Sequence, residues 1–336
     1  MTIGALDTDR RVVVVAEIGN NHEGDLGVAR ELVRAAAGSG ADAVKLQMFA
    51  ARRFVRPSET ARLRQLARFE LPPAAFAELH DLARELGLGF LCTPLDLESA
   101  EFLAPLVDAF KIASADNDWP ELLEAVAGAG KPLLVSTGMS DLEGIGRAQQ
   151  IVEARWRALG IDGELALLHC VSTYPVSPAR ASLATIPALR EAFGVTVGYS
   201  DHTLGLDACL AAVALGARII EKHFTLSHQH SEFRDHQLSA KPAELRELVE
   251  RVALVTALVG EPRTGLLAEE EAIAAAARRS IAAAADLSAG RILEAADLTC
   301  MRPGDGLAPG RAGELVGRRL RRARAFGEPL SLEDVD

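Results

Sequence analysis

The stretch ARIIEKHFTL, residues 217–226, runs from a short β-branched segment into an acid, a base and an imidazole: Glu221, Lys222 and His223. Burying such groups is costly unless each one has a partner, a metal ion or a ligand. Side chains alternate along a strand, so Glu221 and His223 should share one face while Lys222 takes the other. We expect the first pair to face a functional site and Lys222 to pair with an acid on the outer side.

This stretch is the last of eight apolar, strand-like runs that alternate with helical patterns along the chain. The runs are residues 12–16, 43–47, 89–93, 109–113, 132–137, 165–170, 195–200 and 218–224. Strands separated by helices imply right-handed βαβ units and a parallel sheet. Eight such units in about 250 residues predict an α/β protein with a closed (β/α)₈ TIM barrel. An open doubly wound sheet is the alternative, but no GxGxxG follows the first strand.

The pattern changes at GEPRTGLLAEEEAIAAAARRS, residues 260–280, which reads as a linker running into a short helix. The remaining segment carries short strand-like pieces broken by DLSAG, RPGDG and APGRAG. We therefore predict a barrel over residues 1–260, a linker over 261–276 and a small, β-rich domain over 277–336.

Charge and hydropathy exclude several classes of protein. The net charge of −11 argues against nucleic acid as a partner. No uninterrupted apolar stretch of about 18 residues is present, so no membrane span is expected. The 4 cysteines are far apart with no CxxC spacing, and most lie inside apolar runs, which is typical of a reduced compartment. A cytoplasmic protein is the expectation.

Each predicted strand ends in polar groups. In a (β/α)₈ barrel the active site lies at the carboxyl ends of the strands. The groups at or just after those ends are Glu17, Lys45, Gln47, Thr93, Lys111, Ser114, Asp116, Ser136, Thr137, His169, Ser172, Tyr174, Ser200, Asp201, His202, Glu221, Lys222 and His223. Such a set at every strand is hard to explain by packing, so we predict one site at the mouth of the barrel.

Two histidines on neighbouring strands, His202 and His223, predict a metal site. Two imidazoles with open positions suit a labile ion such as Mn²⁺ or Zn²⁺, completed by carboxylate and water. Glu221 and Asp235 are nearby acids that could coordinate directly or through water. The alternative is that both histidines only form hydrogen bonds within the rim.

Two lysines, Lys45 and Lys111, interrupt apolar runs and must meet anions if they point inward. With the hydroxyls of Thr93, Ser114, Ser136 and Ser200 they would suit a small ligand that carries phosphate and carboxylate. Internal Lys–Glu bridges and a Schiff-base lysine are the alternatives. Glu17 ends a buried strand, so its pKa should be raised and it could act as an acid or base; a structural tie to a barrel lysine is the alternative.

Several motifs in fixed order resemble the sialic acid synthase (nonulosonic acid synthase) family. They are AEIGNNHEGDLGVARELVRAAAGSGADAVKLQMF, FKIASAD, PLLVSTGMS, LLHCVSTYPV, VGYSDHTLG and IIEKHFTL. The C-terminal stretch RRSIAAAADLSAGRILEAADLTCMRPGDGLAP resembles the antifreeze-like (SAF) domain that ends those enzymes. The likeness spans essentially the whole chain from residue 12, and its specificity comes from the order of many short motifs.

The resemblance implies a metal-dependent transferase. Family members condense phosphoenolpyruvate with an open-chain amino sugar, N-acetylmannosamine or a relative, giving a nine-carbon 2-keto-3-deoxy acid and phosphate by C–O cleavage. The divalent metal is expected to be Mn²⁺, with Mg²⁺, Co²⁺ or Zn²⁺ as alternatives, and it would polarise the sugar aldehyde. An antifreeze-like domain that reaches the barrel of another subunit implies a domain-swapped homodimer.

Individual roles also follow from the resemblance. It implies metal ligands at His202 and His223 with Glu221 behind them, and proton transfer at Glu17 and Asp235. The implied phosphoenolpyruvate-binding residues are Lys45, Thr93, Lys111, Ser114, Ser136, Ser172 and Ser200. The implied sugar-binding residues are Gln47, Asp116, Tyr174, Asp235 and Arg302, the last one supplied by the partner subunit.

Two departures from the family pattern bear on specificity. The loop SHQHSEFRDHQLS, residues 227–239, has Phe233-Arg234 where relatives have Gly-Pro, and it adds His228 and His230. These two are expected to be exposed loop histidines rather than ligands. Many relatives have Asn where Ser172 stands, which weakens that assignment.

Two other functions stay open at this point. One is a related synthase of a seven- or eight-carbon phosphorylated keto acid, whose terminal phosphate would need an arginine-rich pocket. Arg52, Arg53 and Arg56 could supply one. The other is a non-catalytic sugar-binding or scaffold protein. The polar groups at the end of every predicted strand argue against it.

Overall fold

The predicted strands form a closed parallel barrel in the computed structural model, which describes residues 1–336. After an N-terminal hairpin of β1 (Thr2–Ile3) and β2 (Leu6–Asp7), the barrel strands are β3 (Val13–Gly19), β4 (Ala43–Met48), β5 (Gly89–Pro94), β6 (Ala109–Ile112), β7 (Leu133–Ser136), β8 (Leu165–His169), β9 (Thr196–Asp201) and β10 (Ile219–His223). The last strand pairs with β3 on one side and with β9 on the other, which closes the sheet. The prediction of a (β/α)₈ barrel is confirmed.

Helices alternate with these strands and cover the outside of the barrel. They are α1 (Leu26–Gly38), α2 (Ala51–Phe54), α3 (Thr60–Phe69), α4 (Pro73–Glu85), α5 (Leu97–Leu103), α6 (Pro120–Gly128), α7 (Leu142–Leu159), α8 (Thr185–Phe193), α9 (Asp207–Ala214), α10 (Arg234–Leu238) and α11 (Pro242–Val259). Asp25, Asp96 and Asp141 cap the starts of three helices by accepting a backbone N–H with their side chains. Helices α2 and α3 lie in the connection after β4, where no helix was predicted.

Strand alternation divides the apolar residues into two cores. Outward residues such as Val14 and Phe90 pack against the helices, whereas inward residues such as Val15 and Leu91 fill the barrel. Ile3 and Leu6 of the N-terminal hairpin join the inner core, so apolar side chains fill the interior at the amino ends of the strands. Polar side chains are left to the opposite end, where the strands finish.

The chain divides into two units, Met1–Gly260 and Glu261–Asp336. In the second unit, α12 (Ala268–Ala277) precedes the antiparallel strands β11 (Ser280–Ala283) and β12 (Leu298–Met301). Its separate small core includes Ile281 and Leu293. This small β-rich module matches the predicted fold of the C-terminal segment.

All 4 cysteines are free thiols; Cys92, Cys170 and Cys209 are buried and Cys300 is partly exposed. None of the helices combines the length and the apolar character needed to cross a membrane.

Candidate active site

A cavity of about 350 Å³ opens at the carboxyl ends of the barrel strands. Fourteen of the residues predicted for the site line it: Glu17, Lys45, Gln47, Lys111, Ser114, Asp116, Ser136, Ser172, Tyr174, Ser200, His202, Glu221, His223 and Asp235. Thr93 points into the barrel from β5 and is completely buried. Arg302 lies in the second unit, where its side chain is exposed. The barrel therefore gathers nearly all the predicted groups in one place.

Two lysines and two glutamates form the floor of the cavity. Lys45 Nζ lies 2.9 Å from Glu17 Oε1 and 3.8 Å from Glu221 Oε2, while Lys111 Nζ lies 3.4 Å from Glu221 Oε1. All four side chains are at most 5% exposed. The Lys–Glu bridges considered from the sequence are thus present, and the two lysines share one carboxylate.

Hydroxyl groups continue this cluster. Lys111 Nζ donates to Ser136 Oγ at 2.7 Å, and Ser200 Oγ donates to Glu221 Oε1 at 2.7 Å. Yet Glu17 Oε2, Glu221 Oε2 and Thr93 Oγ1 are buried without a hydrogen-bond partner in the chain. Buried polar atoms are almost always satisfied in folded proteins. The cluster is therefore not a closed structural network, and it has free capacity for a polar ligand.

Burial acts differently on the two acids. It raises the pKa of Glu17, even though Lys45 favours the ionised form. Burial also acts on Glu221, but the attraction of Lys111 and Lys45 outweighs it and lowers the pKa to about 2. When Glu17 is protonated, two lysines face one carboxylate, and the floor of the cavity then has a net positive charge that suits an anion.

The two predicted histidine ligands lie side by side. The ring centres of His202 and His223 are 5.4 Å apart. His202 Nδ1 lies 2.8 Å from the carbonyl oxygen of Val171, and because a carbonyl only accepts, Nδ1 carries the proton and Nε2 keeps its lone pair. His223 Nδ1 is buried without a partner. Burial lowers the pKa of both rings, so both are neutral, which is the form that binds metal ions.

The outer part of the cavity carries groups suited to a polyhydroxylated ligand. Arg234 stacks on Tyr174, with Cζ 4.6 Å from the ring centre, and its Nε lies 3.2 Å from Asp235 Oδ1. Gln47 Nε2 donates to Glu17 Oε1 at 3.0 Å. Asp116 Oδ2 is buried without a partner, and burial raises the pKa of this acid to about 6. Donors and acceptors thus surround an aromatic face.

Several lining residues were not predicted from the sequence. They are Phe54, Arg62, Leu95, Ala113, Ala115, Met139, Cys170, Phe233 and Arg234. Phe233 and Arg234 belong to the 227–239 loop, which departs from the family pattern. That departure could have identified them as candidate site residues. Arg62 lies on α3, a helix that was not predicted.

Three residues predicted at the mouth of the barrel lie elsewhere. His169 points outward and its Nε2 lies 2.8 Å from the Ala181 carbonyl oxygen, and Thr137 Oγ1 donates to a backbone carbonyl. Asp201 also points outward, where Lys222 Nζ lies 2.6 Å from its Oδ2. Strand alternation is the reason, since Cys170, Ser200 and His202 take the inward positions.

The outward position of Lys222 and the shared inner face of Glu221 and His223 agree with the alternation predicted for ARIIEKHFTL.

The arginines considered for a terminal phosphate do not form a pocket in this cavity. None of Arg52, Arg53 and Arg56 lines it. Arg53 instead pairs with Asp96 at 3.2 Å and with Glu98 at 2.8 Å. These three arginines therefore do not support the alternative that the protein makes a phosphorylated keto acid.

The NeuB family model matches residues 32–264 of this chain, and the SAF domain model matches residues 278–336. Among curated proteins, the N,N'-diacetyllegionaminic acid synthase of Legionella pneumophila is 36% identical, over 96% of this chain and 94% of its own length. The N-acetylneuraminate-9-phosphate synthase of Homo sapiens is 32% identical, over 91% of this chain and 88% of its own length.

Among solved structures, the N-acetylneuraminic acid (sialic acid) synthetase from Leptospira borgpetersenii serovar Hardjo-bovis, in complex with citrate, has a TM-score of 0.76 at 30% identity. That match covers 81% of this chain and 94% of the other. The similarity extends over most of both chains, so it concerns whole proteins rather than one shared motif.

Proposed function

Because this chain belongs to the NeuB family, we propose that it condenses phosphoenolpyruvate with an open-chain N-acylated amino sugar. The product would be a nine-carbon 2-keto-3-deoxy acid, released together with phosphate. The family match and the activities named for the curated relatives confirm the predicted resemblance and the prediction that the chain is an enzyme. The substrate pair, the metal and the residue roles are our proposal.

The observation that carries this proposal is the unsatisfied lysine–glutamate floor of the cavity. Phosphoenolpyruvate presents a phosphate and a carboxylate close together, and two buried ammonium groups beside hydroxyls match that pattern. Around that floor, Lys45 pairs with Glu17 and Lys111 pairs with Glu221. Lys111 also donates to Ser136, and Ser200 donates to Glu221. Ser114, Ser172 and the buried Thr93 hydroxyl would complete the anion site.

Charge balance favours binding when Glu17 is protonated. With both glutamates ionised, the two lysines are neutralised and an anion gains little. The raised pKa of Glu17 means that its proton is held more tightly than in water. In the proposed reaction the methylene carbon of phosphoenolpyruvate bonds to the sugar aldehyde carbon, and the aldehyde oxygen takes up a proton. Water then adds at C2 and gives up a proton, and Glu17 is the candidate for this proton transfer. Phosphate then leaves by cleavage of the C2–O bond, and the C2 carbonyl forms.

We propose that His202 and His223 hold a divalent metal, with Mn²⁺ expected first. The neutral rings, the free lone pair of His202 and the unpartnered His223 Nδ1 fit such an ion. When bound, the metal would act as a Lewis acid toward the sugar aldehyde. Ser200 orients Glu221 beside the rings through its 2.7 Å hydrogen bond, so this carboxylate would support the ligands rather than replace them.

The sugar would occupy the outer part of the cavity. Gln47, Asp116, Tyr174 and Asp235 line it and offer acceptors, donors and an aromatic face. Asp235 is a candidate for proton transfer at the sugar oxygen, since burial raises the pKa of its carboxyl. A domain-swapped homodimer with Arg302 supplied to the partner's sugar site belongs to this proposal.

Phosphate release tests the function directly. The full chain is incubated with phosphoenolpyruvate and a panel of aldoses, with Mn²⁺, without it and after chelation. We expect release with an N-acylated amino sugar only when metal is present. If the oxygen between C2 and phosphorus carries an isotope label, the label should appear in the phosphate, because the C–O bond breaks.

The variant His202→Ala separates the metal assignment from folding. We expect it to lose metal-dependent turnover while it keeps its circular dichroism spectrum and its thermal transition. Unchanged turnover would remove His202 from the metal site. Release with an aldose phosphate, and with no N-acylated sugar, would contradict the proposed substrate; silence with every sugar would contradict a synthase.

A further inference from the structure

A second cluster of metal-binding side chains lies outside the cavity floor. Glu23 follows β3, whereas His230 and His236 belong to the 227–239 loop after β10. One ligand atom from each of the three lies within 4.8 Å of the others. The two rings have their centres 5.1 Å apart. None of these side chains lines the cavity described above, so the function proposed for that cavity does not use them.

His236 makes a polar contact through each of its ring nitrogens. Nδ1 lies 2.7 Å from Thr225 Oγ1, and Nε2 lies 3.1 Å from Glu23 Oε1. In the tautomer with its proton on Nδ1, Thr225 accepts that proton and the Nε2 lone pair faces the Glu23 carboxylate. A metal ion between these two atoms would then replace the direct contact.

The surroundings resemble the support that metal ligands usually have. Ligating histidines commonly donate from their second ring nitrogen to a fixed acceptor, and Thr225 Oγ1, 2.7 Å from His236 Nδ1, is in position to be that acceptor. Ser231 Oγ donates to Glu23 Oε1 and orients the carboxylate. Glu23 is also held at a φ of 48°, a left-handed conformation that is strained for a residue other than glycine.

His230 supplies the third ligand and distinguishes this cluster from a plain His–Glu hydrogen bond. Its ring is exposed, lies beside the ring of His236 and makes no side-chain hydrogen bond within the chain. Zinc–ligand bonds of about 2.1 Å in a tetrahedral site place the ligand atoms about 3.4 Å apart. The His236–Glu23 separation of 3.1 Å is already close to that, and only the exposed ring must move inward.

We infer that Glu23, His230 and His236 form a second site for a divalent transition metal such as Zn²⁺, which pins the 227–239 loop to the segment after β3. Two imidazoles and a carboxylate suit this class of ion and leave one position for water. The same loop carries Phe233, Arg234 and Asp235 into the cavity wall. Metal at the second site thus orders the part of the loop that contacts the cavity.

Metal binding to the full chain tests this inference, with Zn²⁺ as the titrant and Co²⁺ as a coloured substitute. After chelation, the variant His202→Ala/His223→Ala should still bind one Zn²⁺ per chain and give the visible Co²⁺ absorption of a low-coordinate site. Adding His230→Gln should weaken that binding by more than about 100-fold, since a lost ligand costs more than a lost supporting contact. His228→Gln is the matched control, because His228 bonds only the Ser239 carbonyl in the same loop.

Hydrogen exchange provides a second readout that does not depend on activity. Zn²⁺ should slow backbone exchange across residues 227–239 in the natural chain and in His228→Gln, but not in His230→Gln. Because His230 is exposed, its substitution leaves the barrel folded. If His230→Gln binds Zn²⁺ like the natural chain, or if the double variant folds and binds none, the second site does not exist.

Discussion

Lys222 and Lys111 are both buried lysines that meet a carboxylate, yet they lie on opposite faces of the barrel wall. On the outer face, Lys222 Nζ donates to Asp201 Oδ2 at 2.6 Å and to the Thr203 carbonyl at 2.7 Å. Asp201 Oδ1 accepts further bonds from the Tyr199 hydroxyl and a backbone N–H. The charges of this outer pair are fully partnered.

On the inner face, Lys111 faces Glu221 at 3.4 Å and donates to Ser136, but Glu221 Oε2 and Glu17 Oε2 have no hydrogen-bond partner. The same types of side chain therefore do two kinds of work. A satisfied buried pair holds strands together, whereas an unsatisfied one is prepared for a ligand. The number of partners, rather than the residue type, separates structural from functional charge here.

Substitution of the outer lysine should produce the largest loss of stability. Lys222→Met leaves the Asp201 carboxylate buried without its cation, which costs about 3–5 kcal/mol of the free energy of unfolding. Urea unfolding measures the loss, and turnover per folded molecule should stay close to that of the natural chain. Lys222→Met/Asp201→Asn should recover part of the stability; a single variant as stable as the natural chain would show that the outer pair is not structural.

The inner lysine should show the opposite behaviour. Lys111→Met should lower kcat/KM for phosphoenolpyruvate by about 10²- to 10³-fold, because it removes a charge aimed at the bound anion. The loss of stability should be smaller than for Lys222→Met, because Lys45 Nζ still faces Glu221 Oε2 at 3.8 Å after the substitution. Lys131→Met, at a partly exposed lysine before β7, is the control. If Lys111→Met lost much of its stability but kept normal kinetics, Lys111 would be a structural lysine like Lys222.

The pH dependence of stability should show the ion pair between Glu221 and the lysines on the inner face of the barrel. The attraction of the two lysines outweighs burial and lowers its pKa from 4.5 to about 2, so its ionised form stabilises the fold above pH 4.5 and that stability disappears as pH falls toward 2. Glu221→Gln should therefore cost about 2–3 kcal/mol near neutral pH and less in acid. Unfolding at several pH values checks this against the exposed control Glu85→Gln; a loss independent of pH would contradict the assignment.

Much of the fold was predictable because barrel strands are buried on both faces. Runs such as residues 43–47 and 109–113 stand out as apolar segments between helices, and eight of them match the strands observed. The N-terminal hairpin and helices α2 and α3 were not predicted. Apolar residues of the hairpin, such as Ile3, pack against distant parts of the barrel, so no local pattern identifies it. In α3, Leu66 and Phe69 do recur at helical spacing, and this local signal could have identified the helix.

The sequence predicted which residue types form the site better than it predicted which way each side chain points. A polar residue at a strand end is visible in the sequence, but its direction depends on the register of that strand. His169 and Asp201 look like mouth residues in the sequence, yet both point outward, because Cys170 and Ser200 take the inner positions. Arg62 reaches the cavity only because α3 brings it there.

The alternation of strands and helices, the family and the set of polar groups at the strand ends can all be read from the amino-acid order. For ARIIEKHFTL, so can the shared face of Glu221 and His223, since a strand has a repeat of two residues. Which charged groups have all their hydrogen-bond partners, and which do not, depends on the folded barrel. The hydrogen-bond partners of a buried group come from strands and loops that are far apart in the chain. Whether the group finds a partner therefore depends on how the whole barrel folds, and no single segment of the sequence shows it.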